Sequence, residues 1–319
     1  MKKMSFFLAA VMLLSMLLNA CGTSGDDPQA SVSTWEASNI MQTTDPSQDD
    51  TLNVLMIGNS FCYYFTDELY AMAQAAGVKM RVCNVYYSGC LLDQHWTWWK
   101  NGEANYSFHE NGKKLIENVD LNYCLKQGNW DVISLQSARL SSNSAEDALE
   151  NNKIYLEELL SYIRQQFPKS RMAWQQTWSY AVGTAGNGKV TPDAEAQRAS
   201  SEKIRNFALL VCEKYDLLRI NTGEAWQIIR DSGYDSLCAR LGKKVDGAAE
   251  HTGDNYHDGD IGGGQYLNAC VWFEILTGKS CVGNPYIPQY TYQNVPFEML
   301  IDLETLQNAA HQAVANRNS

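Results

Sequence analysis

The strongest constraint on the fold is an alternation of short apolar runs with longer amphipathic segments across residues 51–280. Short apolar runs that end at glycine or polar residues are typical of buried strands, and the amphipathic segments are long enough to be helices. The predicted strands cover 52–58, 78–86, 130–136, 171–175 and 217–220. Because parallel strands need such crossover helices, this order predicts an α/β fold. A central, mostly parallel five-stranded sheet would lie between two helical layers, giving a three-layer α/β/α sandwich.

The segments between these strands predict helices. They cover about 64–76, 145–167, 192–215 and 266–276, and a closing helix is expected within 297–316. Gly77 follows the first helix at the position of a left-handed C-cap, and Pro168 stops the second helix. The segment 94–128 has no place in the alternation, so we expect an insertion over one edge of the sheet.

The first twenty residues predict a lipoprotein signal peptide, 1–20, rather than part of the fold. Lys2 and Lys3 precede an apolar run over 6–18, which is shorter than the roughly 20 residues that a membrane-spanning helix needs. Cys21 directly follows a small residue, a pattern that resembles a bacterial lipobox, so Cys21 is predicted to carry a lipid anchor. Asn19 is unusual in a lipobox, and cleavage by the ordinary secretory peptidase is the alternative.

Residues 21–50 are rich in polar side chains and poor in apolar ones. Such a segment cannot bury enough surface to fold alone, so it is predicted to be a flexible tether that leaves 51–319 as the folded domain. Acidic side chains outnumber basic ones by 36 to 25, for a net charge of -11. This balance argues against a nucleic-acid partner, because a phosphate backbone selects surfaces rich in Lys and Arg. Membrane contact is expected only through the lipid anchor, and no cofactor is expected.

Three residues predict a nucleophile and its base. Ser60 lies two residues past the first predicted strand, where Gly58 allows a tight turn and the N–H groups of a following helix can stabilise a developing oxyanion. On position alone, Ser60 could equally be a helix N-cap. Asp254 lies three residues before His257, a spacing that lets the carboxylate hold one ring nitrogen while the other faces a nucleophile.

With these residues, the chain resembles the SGNH (GDSL-type) hydrolases over about 51–280. Their serine block follows the first strand, and the run 58–61 matches it with Asn59 in place of the common Asp. Their Asp-x-x-His block lies near the C-terminus, where this chain has Asp254 and His257. The resemblance implies the flavodoxin-like sheet of that family. It also implies an acyl transfer in which His257 removes the Ser60 proton and Asp254 orients the imidazole.

The resemblance also implies an oxyanion hole. The N–H groups of Ser60 and of Gly89, which follows the second predicted strand, would hold the oxyanion. The third block departs from the family pattern, because Leu135-Gln136 stands where Gly-x-Asn-Asp is usual. Gln136 is therefore expected to supply the side-chain amide, as in a poorly characterised subgroup with Leu-Gln at this strand end. Trp174 and Trp178, at the end of the fourth predicted strand, are predicted to line the substrate cleft.

The predicted function is carboxylic-ester hydrolysis that removes acyl groups such as acetyl from carbohydrate, by a protein exported and lipid-anchored to the bacterial cell envelope. The alternatives are a non-catalytic glycan-binding lipoprotein on the same fold, and a lipase or thioesterase. Acidic and histidine side chains are dense around His251 and Asp258, but their spacing matches no standard zinc motif, so no metal is expected. The crowded tryptophans within 95–99 predict either an exposed platform for a sugar ring or an aromatic cluster.

Overall fold

The structure is a computed structural model. It describes residues 50–137, 140, 142–183, 185–186, 189–234, 240–244, 251–252, 263–292, 295–298 and 301–317. All of these residues belong to one unit, 35–319. The predicted signal peptide, the lipidation site Cys21 and the predicted tether up to residue 49 lie outside the described residues.

The described strands form one large sheet and two small ones. In chain order they are β1 Leu52–Gly58, β2 Met80–Tyr86, β3 Tyr106–Glu110, β4 Lys113–Val119, β5 Val132–Gln136, β6 Arg171–Gln175, β7 Ala185–Gly186, β8 Lys189–Val190, β9 Leu218–Ile220, β10 Arg240–Lys244, β11 His251–Thr252, β12 Tyr290–Tyr292 and β13 Val295–Glu298. The large sheet has seven strands in the order β4-β3-β2-β1-β5-β6-β9. Strands β7 and β8 pair with each other, and β10 to β13 form a separate four-stranded sheet.

Five strands of the large sheet, β2, β1, β5, β6 and β9, are parallel, which confirms the predicted α/β class with a mostly parallel sheet. The predicted count of five strands was too low, because β3 and β4 add to the edge at β2 in antiparallel orientation. Both strands come from the segment 94–128, which extends the sheet rather than lying over its edge. In β4 the first six residues are exposed, so this strand lacks the apolar run by which strands are recognised.

The helices cover both faces of the large sheet. They are α1 Thr66–Ala75, α2 Leu92–Asn101, α3 Leu121–Leu125, α4 Ala145–Gln166, α5 Ala194–Tyr215, α6 Thr222–Ile229, α7 Gly263–Thr277 and α8 Leu303–Ala315. Every predicted helix has a counterpart among them. Side-chain caps fix several starts: the Ser144 hydroxyl accepts a hydrogen bond from the Asp147 N–H, which begins α4.

Each face of the sheet has its own apolar core, because side chains alternate across a strand. Val54 and Met56 of β1 pack in a cluster with α1, α6, α7 and α8. Leu55 and Ile57 of the same strand pack in a second cluster with α2, α3, α4 and α5. Burying one large apolar side chain contributes about 1.5–3 kcal/mol, so the two clusters hold the sandwich together. Within the described ranges, no helix combines the length and apolar character that crossing a bilayer requires.

Candidate active site

The candidate site lies where the carboxyl ends of β2, β1 and β5 meet. Strand β1 pairs with β2 on one side and with β5 on the other, so the chain changes direction across the sheet between β1 and β5. Such a switch point leaves a crevice outside the strand ends, where open α/β sheets bind their ligands. The structure brings Ser60, Gly89 and Gln136 to this edge, because each lies at or just past the end of one of these three strands.

Ser60 begins a short 3-10 turn, Ser60–Cys62, and is 7% exposed. Asn59 caps this turn, since its side-chain oxygen accepts a hydrogen bond from the Phe61 N–H at 3.1 Å. Capping is therefore done by Asn59, and the Ser60 hydroxyl is not needed for it. The prediction that Ser60 enters the N-terminus of the first long helix was wrong, because α1 begins only at Thr66, after an intervening turn.

The turn that carries Gly89 is hydrogen-bonded to the segment that holds Ser60. We call the 3-10 turn Ser60–Cys62 the serine turn. The Cys90 N–H donates to the Tyr87 carbonyl at 3.2 Å, and Gly89 within this turn has φ 68°, a value that glycine adopts at little cost. The Tyr87 N–H donates to the Gly58 carbonyl at 3.3 Å. The Asn59 side chain donates to the Cys90 carbonyl at 2.9 Å, so one residue both caps the serine turn and holds the Gly89 turn.

Gln136 ends β5 beside Gly58 and is 3% exposed. A Cβ atom on Gly58 would lie 2.6 Å from Gln136 Nε2 and 2.9 Å from Cys62 Sγ, so the amide can approach β1 only because residue 58 is glycine. Neither the Nε2 nor the Oε1 atom of Gln136 has a hydrogen-bond partner among the described residues. A buried polar group without a partner costs about 1–3 kcal/mol. Contacts with the described residues therefore do not account for an amide at this position.

Gln175 is a residue that the sequence analysis missed. It ends β6, is 0% exposed, and pairs in register with Gln136. Its Nε2 donates to the Phe61 carbonyl at 2.8 Å, and its Oε1 has no partner among the residues that the structure describes. Gln175 therefore ties the end of β6 to the residue after Ser60. We call Gln136 and Gln175 the amide side of the serine turn.

The two tryptophans predicted to line the cleft are both buried. Trp174 alternates with Gln175 along β6, so its ring faces the opposite side of the sheet and packs 5.7 Å from Phe207. Its predicted role in substrate binding was wrong. Trp178 is 3% exposed, and its ring lies 4.7 Å from Phe61 and 5.2 Å from Trp226. Its ring packs against Phe61 of the serine turn, and too little of it is exposed to stack on a substrate.

Aromatic rings cover the other side of the serine turn, near the ends of β2 and β3. The Tyr63 ring lies 4.6 Å from the Tyr86 ring and 4.6 Å from the His109 ring. His109 Nε2 forms a 2.8 Å hydrogen bond with Ser107 Oγ. Burial, assisted by the charge of Lys114, lowers the pKa of His109 to about 4, so its imidazole is neutral near pH 7. We call Tyr63, Tyr86, Ser107 and His109 the aromatic side.

The tryptophans of α2 favour the aromatic-cluster interpretation over the exposed platform. Trp96, Trp98 and Trp99 are all half-buried and pack against the core. The Trp96 indole N–H donates to Glu158 at 2.9 Å, and the Trp99 ring lies 4.7 Å from Tyr162. Contacts with α4 therefore explain Trp96 and Trp99.

Cys62 lies two residues past Ser60 but does not have the properties of a nucleophile. Burial raises the pKa of its thiol to about 12, although the Asn84 amide donates a hydrogen bond to the sulfur. Because the thiolate is the reactive form, Cys62 is a packing residue.

The predicted base and its orienting carboxylate, His257 and Asp254, lie outside the described residues. Asp258, from the alternative metal site, also lies outside them, whereas the backbone of His251 forms part of β11. On the described side, Ser60, the Gly89 turn and the buried Gln136 amide lie at three adjacent strand ends, and Asn59 caps the turn that carries the serine. Preorganised donors of this kind are suited to holding the oxyanion formed when a serine attacks an ester carbonyl.

Comparison with known proteins identifies a family. A family model described as a domain of unknown function, DUF4886, matches residues 53–295. No curated protein matches the chain. The structure of a DUF4886 family protein from Bacteroides uniformis is 26% identical, with a TM-score of 0.66, and the match covers 84% of this chain and 96% of that one.

More distant solved structures also match. An acetyl xylan esterase is 11% identical, with a TM-score of 0.42, and the match covers 70% of this chain and 98% of that one. A phospholipase A1 from Streptomyces albidoflavus is 12% identical, with a TM-score of 0.38, and the match covers 71% of this chain and 98% of that one.

Proposed function

The chain belongs to the DUF4886 family, and we propose that it is a carboxylic-ester hydrolase with Ser60 as its nucleophile. One observation carries the proposal: three adjacent strand ends bring together a serine that is not used as a cap, the Gly89 turn and the Gln136 amide, which has no partner among the described residues. Of these features, the buried Gln136 amide has a cost that contacts among the described residues do not offset. Together they provide the parts of an oxyanion site.

The proposed mechanism is a two-step acyl transfer. His257 takes the Ser60 proton as the hydroxyl attacks the ester carbonyl, and Asp254 orients and stabilises the resulting imidazolium. The N–H groups of Ser60 and Gly89 and the Gln136 amide hold the oxyanion. His257 then gives its proton to the departing alcohol, which breaks the ester bond and leaves an acyl-serine. Water, activated by the same histidine, releases the acid and restores Ser60.

The proposed substrate is an acylated carbohydrate, with acetyl as the acyl group. The predicted export signal supports this proposal, because polymers outside the cell are then accessible to the enzyme. The test is a series of p-nitrophenyl esters of increasing chain length alongside acetylated polysaccharides, with the chain from residue 22 onwards and with its Ser60→Ala variant. We expect preference for acetate, release of acetate from polysaccharide, and neither activity in Ser60→Ala. Preference for long chains would favour a lipase, and glycan binding without turnover would favour a binding protein.

The proposed location is the cell envelope, with a lipid on Cys21 as the membrane anchor. The apolar run that stops at this cysteine supports the proposal. The wild-type chain should partition into the detergent phase of a cell extract, and the Cys21→Ala variant should not. Equal partition of the two would reject lipidation at this residue.

A further inference from the structure

Tyr87 is an exposed aromatic residue fixed to the backbone of the candidate site. It directly follows β2, and its side chain is 41% exposed. Its N–H donates to the Gly58 carbonyl, two residues before Ser60, and its carbonyl accepts from Cys90 across the turn that carries Gly89. Because neighbouring strands lie about 4.8 Å apart, Tyr87 occupies the strand end adjacent to that of the nucleophile. The ring is therefore positioned by the same hydrogen bonds that hold the proposed oxyanion turn.

The Tyr87 ring packs against a series of aromatic side chains that leads into the core. Its ring lies 4.8 Å from that of Trp98, at an interplanar angle of 79°. The Trp98 ring lies 5.4 Å from that of Tyr106, at 75°. Tyr106 is 0% exposed, and its hydroxyl forms a 2.8 Å hydrogen bond with Nδ1 of the buried His95. Tyr87 and Trp98 thus form a corner of two nearly perpendicular rings, anchored in the core, which we call the aromatic corner.

The surroundings of the aromatic corner are polar. Ser88 and Asp93 are exposed, and Gln94 lies on α2 one turn before Trp98. The other large apolar side chains that are exposed among the described residues lie on different elements: Leu115 and Ile116 on β4, Tyr123 on α3, Ile154 on α4, and Val182, Val190, Val282 and Ile287 beyond α4. An acyl chain needs a continuous apolar surface, which one exposed ring and one half-buried ring among polar groups do not offer. A ligand with a flat C–H face and a rim of hydroxyl groups fits both the ring and its neighbours.

From these observations we infer that the aromatic corner binds a sugar ring of the substrate and presents its acyl group to Ser60. The inference rests on the proposed function and extends it by naming the binding surface for the carbohydrate. Tyr87 is the sugar-stacking residue, and Trp98 holds its ring in place. Because the Tyr87 ring is already ordered by Trp98, little conformational freedom is lost when a sugar binds.

The test compares Tyr87 with Tyr123, which is also 41% exposed but lies on α3. Binding of acetylated xylan, acetylated glucomannan and acetylated pectin is measured in the Ser60→Ala background, where no turnover occurs. One ring is only part of the contact with a polysaccharide, so Tyr87→Ala should weaken binding of at least one polysaccharide by about two- to tenfold. Tyr123→Ala should bind all three as its parent does. Tyr87→Leu keeps apolar packing on Trp98 without a flat ring, and it should resemble Tyr87→Ala.

The same substitutions, with Ser60 intact, are then compared in turnover. The ratio of kcat/KM for acetylated polysaccharide to kcat/KM for p-nitrophenyl acetate should fall about two- to tenfold in Tyr87→Ala and Tyr87→Leu, and stay constant in Tyr123→Ala. The aromatic corner would be rejected as a sugar site if the Tyr87 variants matched Tyr123→Ala in binding and in the kcat/KM ratio. It would also be rejected if the Tyr87 variants lost activity on polysaccharide and on p-nitrophenyl acetate in equal proportion. Failure of the hydrolase proposal is a separate result: the wild-type protein would then show no esterase activity, or that activity would persist in Ser60→Ala, whatever the Tyr87 variants bind.

Discussion

The amide side and the aromatic side lie on opposite flanks of the serine turn. They differ in how the cost of burying their polar groups is offset. On the aromatic side, burial lowers the pKa of His109, so its ring is neutral and packs against Tyr63. His109 pairs with Ser107 through Nε2, and its Nδ1 has no partner among the described residues. On the amide side, Gln136 has no partner among the described residues for either amide atom, and Gln175 has none for its oxygen. An imidazole can reduce its burial cost by losing a proton, whereas an amide cannot. Packing and the lowered pKa thus account for the aromatic side, and we propose that the amide side retains its amides as donors for catalysis.

The largest predicted effect is the loss of catalytic rate when the nucleophile, which lies between the two flanks, is removed. If Ser60 and His257 act as one unit, Ser60→Ala, His257→Ala and the double variant should all lose about 10⁴-fold or more in kcat, to a similar residual rate, because removing either residue disables the other. Asp254→Asn should retain more activity than Ser60→Ala, since a misoriented imidazole still accepts a proton occasionally. Steady-state hydrolysis of p-nitrophenyl acetate measures these rates. Additive losses in the double variant would contradict a shared mechanism.

The next effect separates catalysis from packing on the amide side. Gln136→Met keeps the side-chain length and removes the amide, for which the described part of the chain offers no partner. We expect kcat to fall by about tenfold or more with little change in KM, because an oxyanion donor acts mainly in the transition state. Stability should rise by about 1 kcal/mol, since a buried group without a partner is removed. Steady-state kinetics and denaturant unfolding of the same preparation test the expected fall in kcat and the expected rise in stability. An unchanged kcat would exclude Gln136 from the oxyanion site.

Gln175→Met provides the matched contrast within the amide side. This substitution removes the hydrogen bond that Nε2 donates to the Phe61 carbonyl, and with it the Oε1 atom that has no partner among the described residues, so stability should fall by about 1 kcal/mol. The serine turn should then be held less firmly, and kcat should fall about threefold to tenfold with KM nearly constant. Opposite signs of the stability change in Gln136→Met and Gln175→Met would support the distinction. The same sign in both would mean that the two amides are equivalent structural groups.

The aromatic side should affect pH stability more than rate. Burial lowers the pKa of His109 to about 4 from an unfolded value near 6.5, so the unfolded chain binds the proton first. The contribution of His109 to stability is therefore fully present above about pH 6.5 and is lost as the pH decreases to about 4. Between pH 7 and pH 4.5, the free energy of unfolding of His109→Phe should decrease by about 2 kcal/mol less than that of the wild type. His95, whose pKa burial lowers to about 3, should leave a remaining slope, and unfolding at several pH values would measure both.

Most of the fold could be predicted from local sequence because buried parallel strands are apolar along their whole length. The strand ends then placed Ser60, Gly89 and Gln136 at one edge without any knowledge of side-chain contacts. Strand β4 was not predicted, because its exposed residues show no apolar run. Its position at the sheet edge depends on pairing with β3 and not on burial.

The errors within the site have a different cause. Gln175 was missed because its partner, the Phe61 carbonyl, lies 114 residues away in sequence. Trp174 could have been excluded, since it alternates with Gln175 on β6 and must face the opposite core. The cap of the serine turn is local but ambiguous, because Asn59 and Ser60 are both good capping residues. Only the observed hydrogen bond from Phe61 to Asn59 distinguishes them.

Covalent labelling of the nucleophile tests the central claim most directly. A fluorophosphonate ester reacts with a serine only when a base and an oxyanion site activate it. Intact-mass measurement should show one equivalent bound, and peptide mapping should locate it on Ser60. Labelling should be lost in Ser60→Ala and retained in Cys62→Ala, which changes the buried thiol two residues away. Labelling at another residue, or hydrolysis of acetate esters without any label on Ser60, would contradict the account.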